Sequence, residues 1–152
     1  MKIGDKLPAL TVATTPDQSL KFTSLKKKNI IIYFYPKDST PGCTTEGQNF
    51  RDLYVEFTDL ETVIFGVSRD SIKSHQKFKE KQQFPFELIS DPEEQLCKAF
   101  DVIKLKKLYG REYMGIERST FLFNKKGQLV NEWRKLRVKG HVDLVLEAVK
   151  AL

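Results

Sequence analysis

Only two cysteines, Cys43 and Cys97, and two histidines, His75 and His141, occur in the 152 residues. So few thiols cannot make a disulfide framework, and no Cys-x-x-Cys pair is present to act as a dithiol couple. None of the four residues stands at the close spacing of a structural zinc site. His75 is read instead as a helix-face residue and His141 as a residue at a helix start. No apolar run approaches the roughly 20 residues of a membrane span. The opening Met1-Lys2-Ile3-Gly4-Asp5 has none of the apolar core of a signal peptide. The expected compartment is therefore the cytoplasm, where thiols are kept reduced. Repeats, low-complexity tracts and linkers are also missing, so residues 1–152 are expected to form one domain. Two cysteines in such a chain are either core residues or chemistry.

What the chain has in excess is positive charge, +6 at pH 7. It is concentrated in Lys26 to Lys28, in Lys104 with Lys106 and Lys107, and in Arg134-Lys135 with Arg137 and Lys139. These patches are not interleaved with the exposed aromatics or glycine-rich loops of nucleic-acid grooves. They read as solvated faces and loop ends, and no nucleic-acid partner is expected. A basic field still stabilises a thiolate wherever it reaches one.

The run Ile30-Ile31-Ile32-Tyr33-Phe34-Tyr35 is wholly β-branched or aromatic, the pattern of a buried, parallel central strand. Pro36 stops it. Thr40 is a good N-cap and Pro41 a good first helical residue. Cys43 then falls at the third helical position, among backbone N–H groups with no partner inside the helix. Those groups and the helix dipole favour an anion, and a thiolate is one. Around this stretch, Leu10 to Ala13 and Leu20 to Phe22 read as short strands about a turn at Thr15-Pro16-Asp17-Gln18, and Ser24 as the cap of a helical turn. Phe50, Leu53, Tyr54 and Phe57 recur as one face of a long helix. Thr62 to Ser68 is a second apolar strand, and Asp70 or Ser71 caps a helix carrying Ile72, His75 and Phe78. Phe86 to Ile89 is a short strand. Ser90-Asp91-Pro92-Glu93 starts a helix whose apolar side is Leu96, Cys97 and Phe100. Lys104 to Met114 is a basic loop or hairpin arm. Ser119 to Phe123 and Leu129 to Trp133 form a hairpin about Asn124-Lys125-Lys126-Gly127. Val142, Val145, Leu146 and Val149 make a closing amphipathic helix. Alternating βα units with a final hairpin predict an α/β fold: a thioredoxin-like three-layer α/β/α sandwich with a central mixed sheet and an N-terminal β extension.

A nucleophilic cysteine acting on a peroxide needs a group that orients the substrate and positive charge where the leaving oxygen becomes anionic. Thr40, one turn before Cys43, has a hydroxyl that both donates and accepts. Arg118 immediately precedes a buried strand and is placed to project from its end toward the Cys43 loop, always cationic.

The residues Pro36-x-x-x-Thr40-x-x-Cys43, with Tyr33-Phe34-Tyr35-Pro36-Lys37-Asp38 and Arg118-Ser119-Thr120-Phe121, resemble the signature of peroxiredoxins of the bacterioferritin-comigratory, or PrxQ-like, group. The similarity covers nearly the whole chain. It implies a thioredoxin-fold thiol peroxidase that reduces hydrogen peroxide and organic hydroperoxides without a cofactor. It also implies Cys43 as the peroxidatic thiol, Thr40 and Arg118 as its activators, Pro36 as its shield and Glu46 as the acid that orients the arginine. Implied reductants are thioredoxin, or glutathione with glutaredoxin, and the implied state is a monomer.

The chain departs from that pattern in one respect. Many members of the group carry a resolving cysteine five residues after the peroxidatic one, and that position is Gln48. A second subset places it around Lys79 to Gln83, where there is none either. The expectation is a one-cysteine cycle reset by an external thiol, with Cys97 a small buried hydrophobe. The alternatives are Cys97 as an unusual resolving cysteine, or a non-enzymatic thioredoxin-like redox sensor or chaperone. The arm from Leu105 to Met114, with Tyr109, Tyr113 and Met114, is either part of the site's mouth or a surface hairpin; the residues leave both open.

Overall fold

The computed structural model describes all residues, Met1 to Leu152. The apolar run becomes β3 (Asn29–Phe34), with every residue buried. Side chains along a strand alternate between faces, and here the alternation divides the core in two. Ile30, Ile32 and Phe34 belong to one apolar cluster, while Ile31, Tyr33 and Tyr35 belong to the other.

The remaining strands complete a seven-stranded mixed sheet. They are β1 (Thr11–Thr14), β2 (Gln18–Lys21), β4 (Thr62–Ser68), β5 (Glu87–Ser90), β8 (Ser119–Phe123) and β9 (Leu129–Trp133), in the order β2-β1-β5-β4-β3-β8-β9. The β3–β4 and β4–β5 pairs are parallel; the β8–β9 hairpin joins β3 antiparallel. The β1–β2 hairpin docks on β5 and forms the N-terminal extension. The hairpin β6 (Ile103–Leu108) and β7 (Arg111–Ile116) stands apart as a two-stranded sheet.

One face of the sheet carries α1 (Pro41–Asp52), α2 (Tyr54–Asp59), α3 (Ile72–Gln82) and α5 (His141–Lys150). They contribute Phe50, Phe57, Phe78, Val142, Val145 and Leu146 to the cluster that also contains Cys43. The opposite layer is thin. It consists of the five-residue α4 (Gln95–Ala99) and flanking segments, which bury Phe22, Leu96, Cys97, Phe100 and Val102. The thioredoxin-like three-layer expectation holds, with unequal outer layers.

Four local expectations are corrected. The long helix after Cys43 breaks at Leu53, whose φ of −104° and ψ of 9° separate α1 from α2, although the apolar spacing runs on across the break. Ser24 ends its helical turn (Phe22–Ser24) rather than starting it, and its hydroxyl donates to Lys21 O. The α4 helix begins later than Pro92, because Asp91 reaches forward and accepts from the N–H groups of Leu96 (3.1 Å) and Cys97 (2.7 Å). Thr40 has the extended backbone of an N-cap, but its side chain caps nothing in the helix. By contrast, Ser71 caps α3 as expected, accepting from Ser74 N–H. His141 opens α5 and is buried; that burial, with the charge of Arg118 adding to it, pushes its pKa down to about 4.

The site helix α1 is seated against α3 and the segment after it through Gly47. A Cβ there would come within 2.8 Å of Phe84 Cε1. That ring is fixed, stacked on Phe86 at 5.1 Å and edge-on to Phe78 at 5.0 Å. Glycine inside a helix ordinarily costs up to about 1 kcal/mol relative to alanine. Overpacking costs about 1–3 kcal/mol and wins here. Gly47→Ala is therefore expected to lower stability in urea denaturation, against the helix-propensity trend.

Candidate active site

Cys43 stands at the third position of α1 with 2% exposure. The first helical hydrogen bond runs from Thr44 N–H to Thr40 O at 2.9 Å, which leaves the N–H groups of Gly42 and Cys43 unpartnered at the helix start. Arg118 lies just before β8, whose Ser119 pairs with Phe34 at the end of β3. This register brings the arginine beside the loop that carries the cysteine. Its guanidinium forks: Nη2 is 3.4 Å from Cys43 Sγ and Nη1 donates to Glu46 Oε1 at 2.8 Å. Glu46 is one helical turn beyond Cys43, so both face the same way. Gly42 admits the fork, since a Cβ there would sit 3.2 Å from Arg118 Nη2.

Cys43, Glu46 and Arg118, expected together, are thus in contact. Thr40 and Pro36 occupy the same loop in other ways. The Thr40 hydroxyl donates to Lys37 O at 2.8 Å and makes no hydrogen bond to the sulfur. Its proton is spent on the loop, and its oxygen lone pairs remain for an incoming donor. Pro36 is half-buried where the chain leaves β3.

Glu46 is fully buried, and its Oε2 has no hydrogen-bond partner. Burial outweighs the attraction of Arg118 and pushes the carboxyl up to about 7. Arg118 loses some affinity for its proton to burial, but the charges of Glu46 and Cys43 more than restore it. Cys97 is in the other cluster, on the far side of the sheet from Cys43. Burial raises its thiol pKa, with Asp91 adding to the effect. Gln48 donates to Gln82 Oε1 at 2.9 Å and ties α1 to α3.

The structure also brings to the site a group of residues that no sequence pattern assigns there. Asp38, in the loop before Cys43, is buried. Its carboxylate accepts from Tyr35 Oη (2.7 Å) and Ser74 Oγ (2.8 Å) and meets His75 Nδ1 at 2.7 Å. His75 Nε2 lies 2.9 Å from Ile89 O, which can only accept. Asp38 N–H donates to Asp70 Oδ2 at 2.9 Å. This network pins the loop to α3, to the segment after β4 and, through His75, to β5. The only sequence signal for it was a polar residue inside the Pro36-to-Cys43 stretch, and burial of a loop residue has no periodicity. The ligand-capable atoms of Asp38, Asp70 and His75 lie within 4.8 Å of one another. Each is already committed to these hydrogen bonds, so the cluster is a clamp.

Two cavities lie near the site. One, of about 570 Å³, lies between Pro41, Gly42 and Thr45 of α1 and Lys139 and Val142 near the start of α5. The other, of about 500 Å³, includes Arg118 itself and, from the β6–β7 arm, Lys104 to Lys107 and Tyr113. The arm's tip is exposed, with Tyr109 at 95%. Both readings of that segment therefore apply, to different ends of it.

A thioredoxin-like sheet that presents a helix-start cysteine to an arginine is the architecture of thiol-dependent peroxidases. The AhpC/TSA family profile matches residues 3–132. Peroxiredoxin Bcp of Bacillus subtilis (strain 168) is 53% identical over 150 residues, spanning 99% of this chain and 96% of that protein. Peroxiredoxin Bcp of Xanthomonas campestris pv. campestris is 60% identical over 122 residues, 80% of this chain and 76% of that one. The solved structure of Xanthomonas campestris Peroxiredoxin Q superposes with a TM-score of 0.89 at 52% identity, covering 93% of this chain and 90% of that one. That of Xanthomonas campestris bacterioferritin comigratory protein gives 0.92 at 49% identity, covering 99% and 98%. The chain belongs to the AhpC/TSA family, among its Bcp/PrxQ peroxiredoxins, and has their activity of thiol-dependent peroxide reduction.

The raised Glu46 carboxyl links stability to pH. Its folded pKa lies above the ordinary 4.5, so the folded state holds a proton that the unfolded chain has released between those values. Stability from this group is fully present below about pH 4.5 and is lost as pH rises through about 7. Glu46→Gln mimics the protonated acid. It is expected to gain on the wild type by up to about 3 kcal/mol between pH 5 and pH 8, read from paired urea denaturation curves.

Proposed function

We propose that Cys43 is the peroxidatic residue and that the cycle is of the one-cysteine type. The observation that carries this is the fork of Arg118 on Cys43 Sγ and Glu46. The Cys43 thiolate attacks the terminal oxygen of a hydroperoxide. The O–O bond breaks, the alkoxide or hydroxide leaves with the electron pair and takes up a proton, and sulfur is left as sulfenic acid, oxidised by two electrons. Arg118 and the free N–H groups at the start of α1 offset the negative charge as it moves from sulfur to the departing oxygen. The Thr40 oxygen accepts a hydrogen bond from the peroxide O–H and orients it. Pro36 limits water at the sulfur, and Glu46 positions Arg118.

Substrates are hydrogen peroxide and organic hydroperoxides. The solved Xanthomonas bacterioferritin comigratory protein, described with alkyl peroxide reduction activity, supports the organic class. Gln48 at the usual resolving position and Cys97 across the sheet support an external thiol as reductant, thioredoxin or glutathione with glutaredoxin. The two free thiols fit a reducing compartment, the cytoplasm. No helix is long and apolar enough to cross a membrane. We place the chain there as a one-domain monomer.

Cys43→Ser is expected to abolish thiol-dependent peroxide consumption, whereas Cys97→Ser retains it. One equivalent of hydrogen peroxide should give sulfenic acid at Cys43 by mass spectrometry, and a dominant Cys43–Cys97 disulfide would refute the one-cysteine cycle. Arg118→Ala should lower kcat/KM by about 10²–10³-fold, the scale of losing a transition-state donor. Arg118→Lys should recover only part of that, because an ammonium cannot fork between two partners.

A further inference from the structure

The basic residues of the β6–β7 arm, read from the sequence as a solvated face, line the cavity of about 500 Å³ that opens beside Arg118. Its volume lies within the roughly 300–1,000 Å³ of small-molecule pockets. Its walls bring Lys104, Lys106, Lys107, Lys135 and Arg118 together with one carboxylate, Glu117. Two of these cations are matched elsewhere, Lys104 by Asp101 at 3.1 Å and Lys107 by Glu112 at 3.5 Å. Arg118 is matched by Glu46. Lys106 and Lys135 have no carboxylate within ion-pair distance.

Lys106 is half-buried against Gly115, whose added Cβ would lie 3.2 Å from its Cδ. Burial lowers its pKa, Arg118 lowers it further, and the charge of Cys43 raises it. Arg118 belongs to both places, lining the cavity and touching Sγ.

Hydrogen peroxide is small and neutral and needs no such anchor. The reset is the step that brings a bulkier reagent, and the chain supplies none of its own. Resting on the one-cysteine reading above, we infer that this cavity docks the resetting thiol, and that this thiol is a small anion whose carboxylates sit on Lys106 and Lys135. Bound there, the thiol attacks the Cys43 sulfenic acid. An S–S bond forms, the S–OH bond breaks, and the hydroxyl leaves as water with the thiol proton. A second thiol then displaces Cys43 and leaves as the mixed disulfide of the two reagents, returning Cys43 reduced.

The test uses the full chain oxidised with one equivalent of hydrogen peroxide, then mixed with glutathione, its diethyl ester or β-mercaptoethanol. Mixed-disulfide formation at Cys43 is timed by quench and mass spectrometry. The readout is the ratio of the glutathione rate to the ester rate, in which any change in the reactivity of Cys43 divides out. A ratio of about tenfold is expected for wild type, from steering of the anion. It should fall toward one in about 0.5 M salt, where charges are screened within a few ångströms. Lys106→Gln and Lys135→Asn should each reduce the ratio, and asparagine suits the left-handed backbone at position 135 (φ 48°). A wild-type ratio near one, or a ratio indifferent to salt and to both substitutions, overturns the docking site and leaves the one-cysteine cycle standing. The same charge preference in the peroxide step, between anionic and neutral hydroperoxides, also overturns it, by assigning the cavity to substrate. Failure of all three thiols to form a mixed disulfide overturns this inference; the one-cysteine reading falls with it only if the oxidised chain instead shows a Cys43–Cys97 disulfide.

Discussion

The guanidinium of Arg118 holds two buried groups at once, an acid with one unpartnered oxygen and a cysteine at the start of a helix. Neither group is well placed without it. A buried carboxylate and a buried thiolate both need a cation near, and the fork of arginine lets one cation serve both at fixed angles. The sheet exists, for this purpose, to bring that fork to the sulfur. Strand β8 pairs antiparallel with β3, so the residue before β8 arrives where β3 ends and the cysteine loop begins. The central strand thus sets two positions with one register: the cysteine by following it, and the arginine by pairing beside it.

Rigidity around this contact comes from polar groups that are buried and satisfied. Asp38 accepts from Tyr35 and Ser74, meets His75 Nδ1 and gives its N–H to Asp70, which fixes the loop between β3 and α1. Such a network orients the loop at the cost of burying charge. Preorganisation of this kind is what lets donors stabilise developing charge without first having to move.

The strands were the legible part of the fold. Thr62–Ser68, Ser119–Phe123 and Leu129–Trp133 fall where their apolar runs and turn residues put them, because a buried strand must be apolar and a hairpin must turn. The helices were less so. Phe50, Leu53, Tyr54 and Phe57 keep their spacing across the break at Leu53, and Asp91 caps α4 from several residues away. Pattern marks a buried face without marking an interruption in it, and a long-range cap has no fixed spacing. At the site, Cys43, Glu46 and Arg118 were legible from helix position and from the PrxQ-like pattern. The Asp38–His75 contact and the cavity that Lys106 and Lys135 share with Arg118 were not, because both depend on tertiary proximity between separate segments of the chain.

Gln48 and Arg51 both bind Gln82, one through its side chain and one through its carbonyl, while Gly47 lets the ring of Phe84 close against the helix. These contacts fasten the middle of α1 to the end of α3. A peroxidatic helix that carried its own second thiol would have to come apart in every cycle to bring the two sulfurs together. In the one-cysteine cycle proposed above, the resetting thiol arrives from outside, so this helix has no such duty and can be bolted down along its length. Heat and denaturant then act, in that cycle, on a turnover that contains no unfolding step of its own.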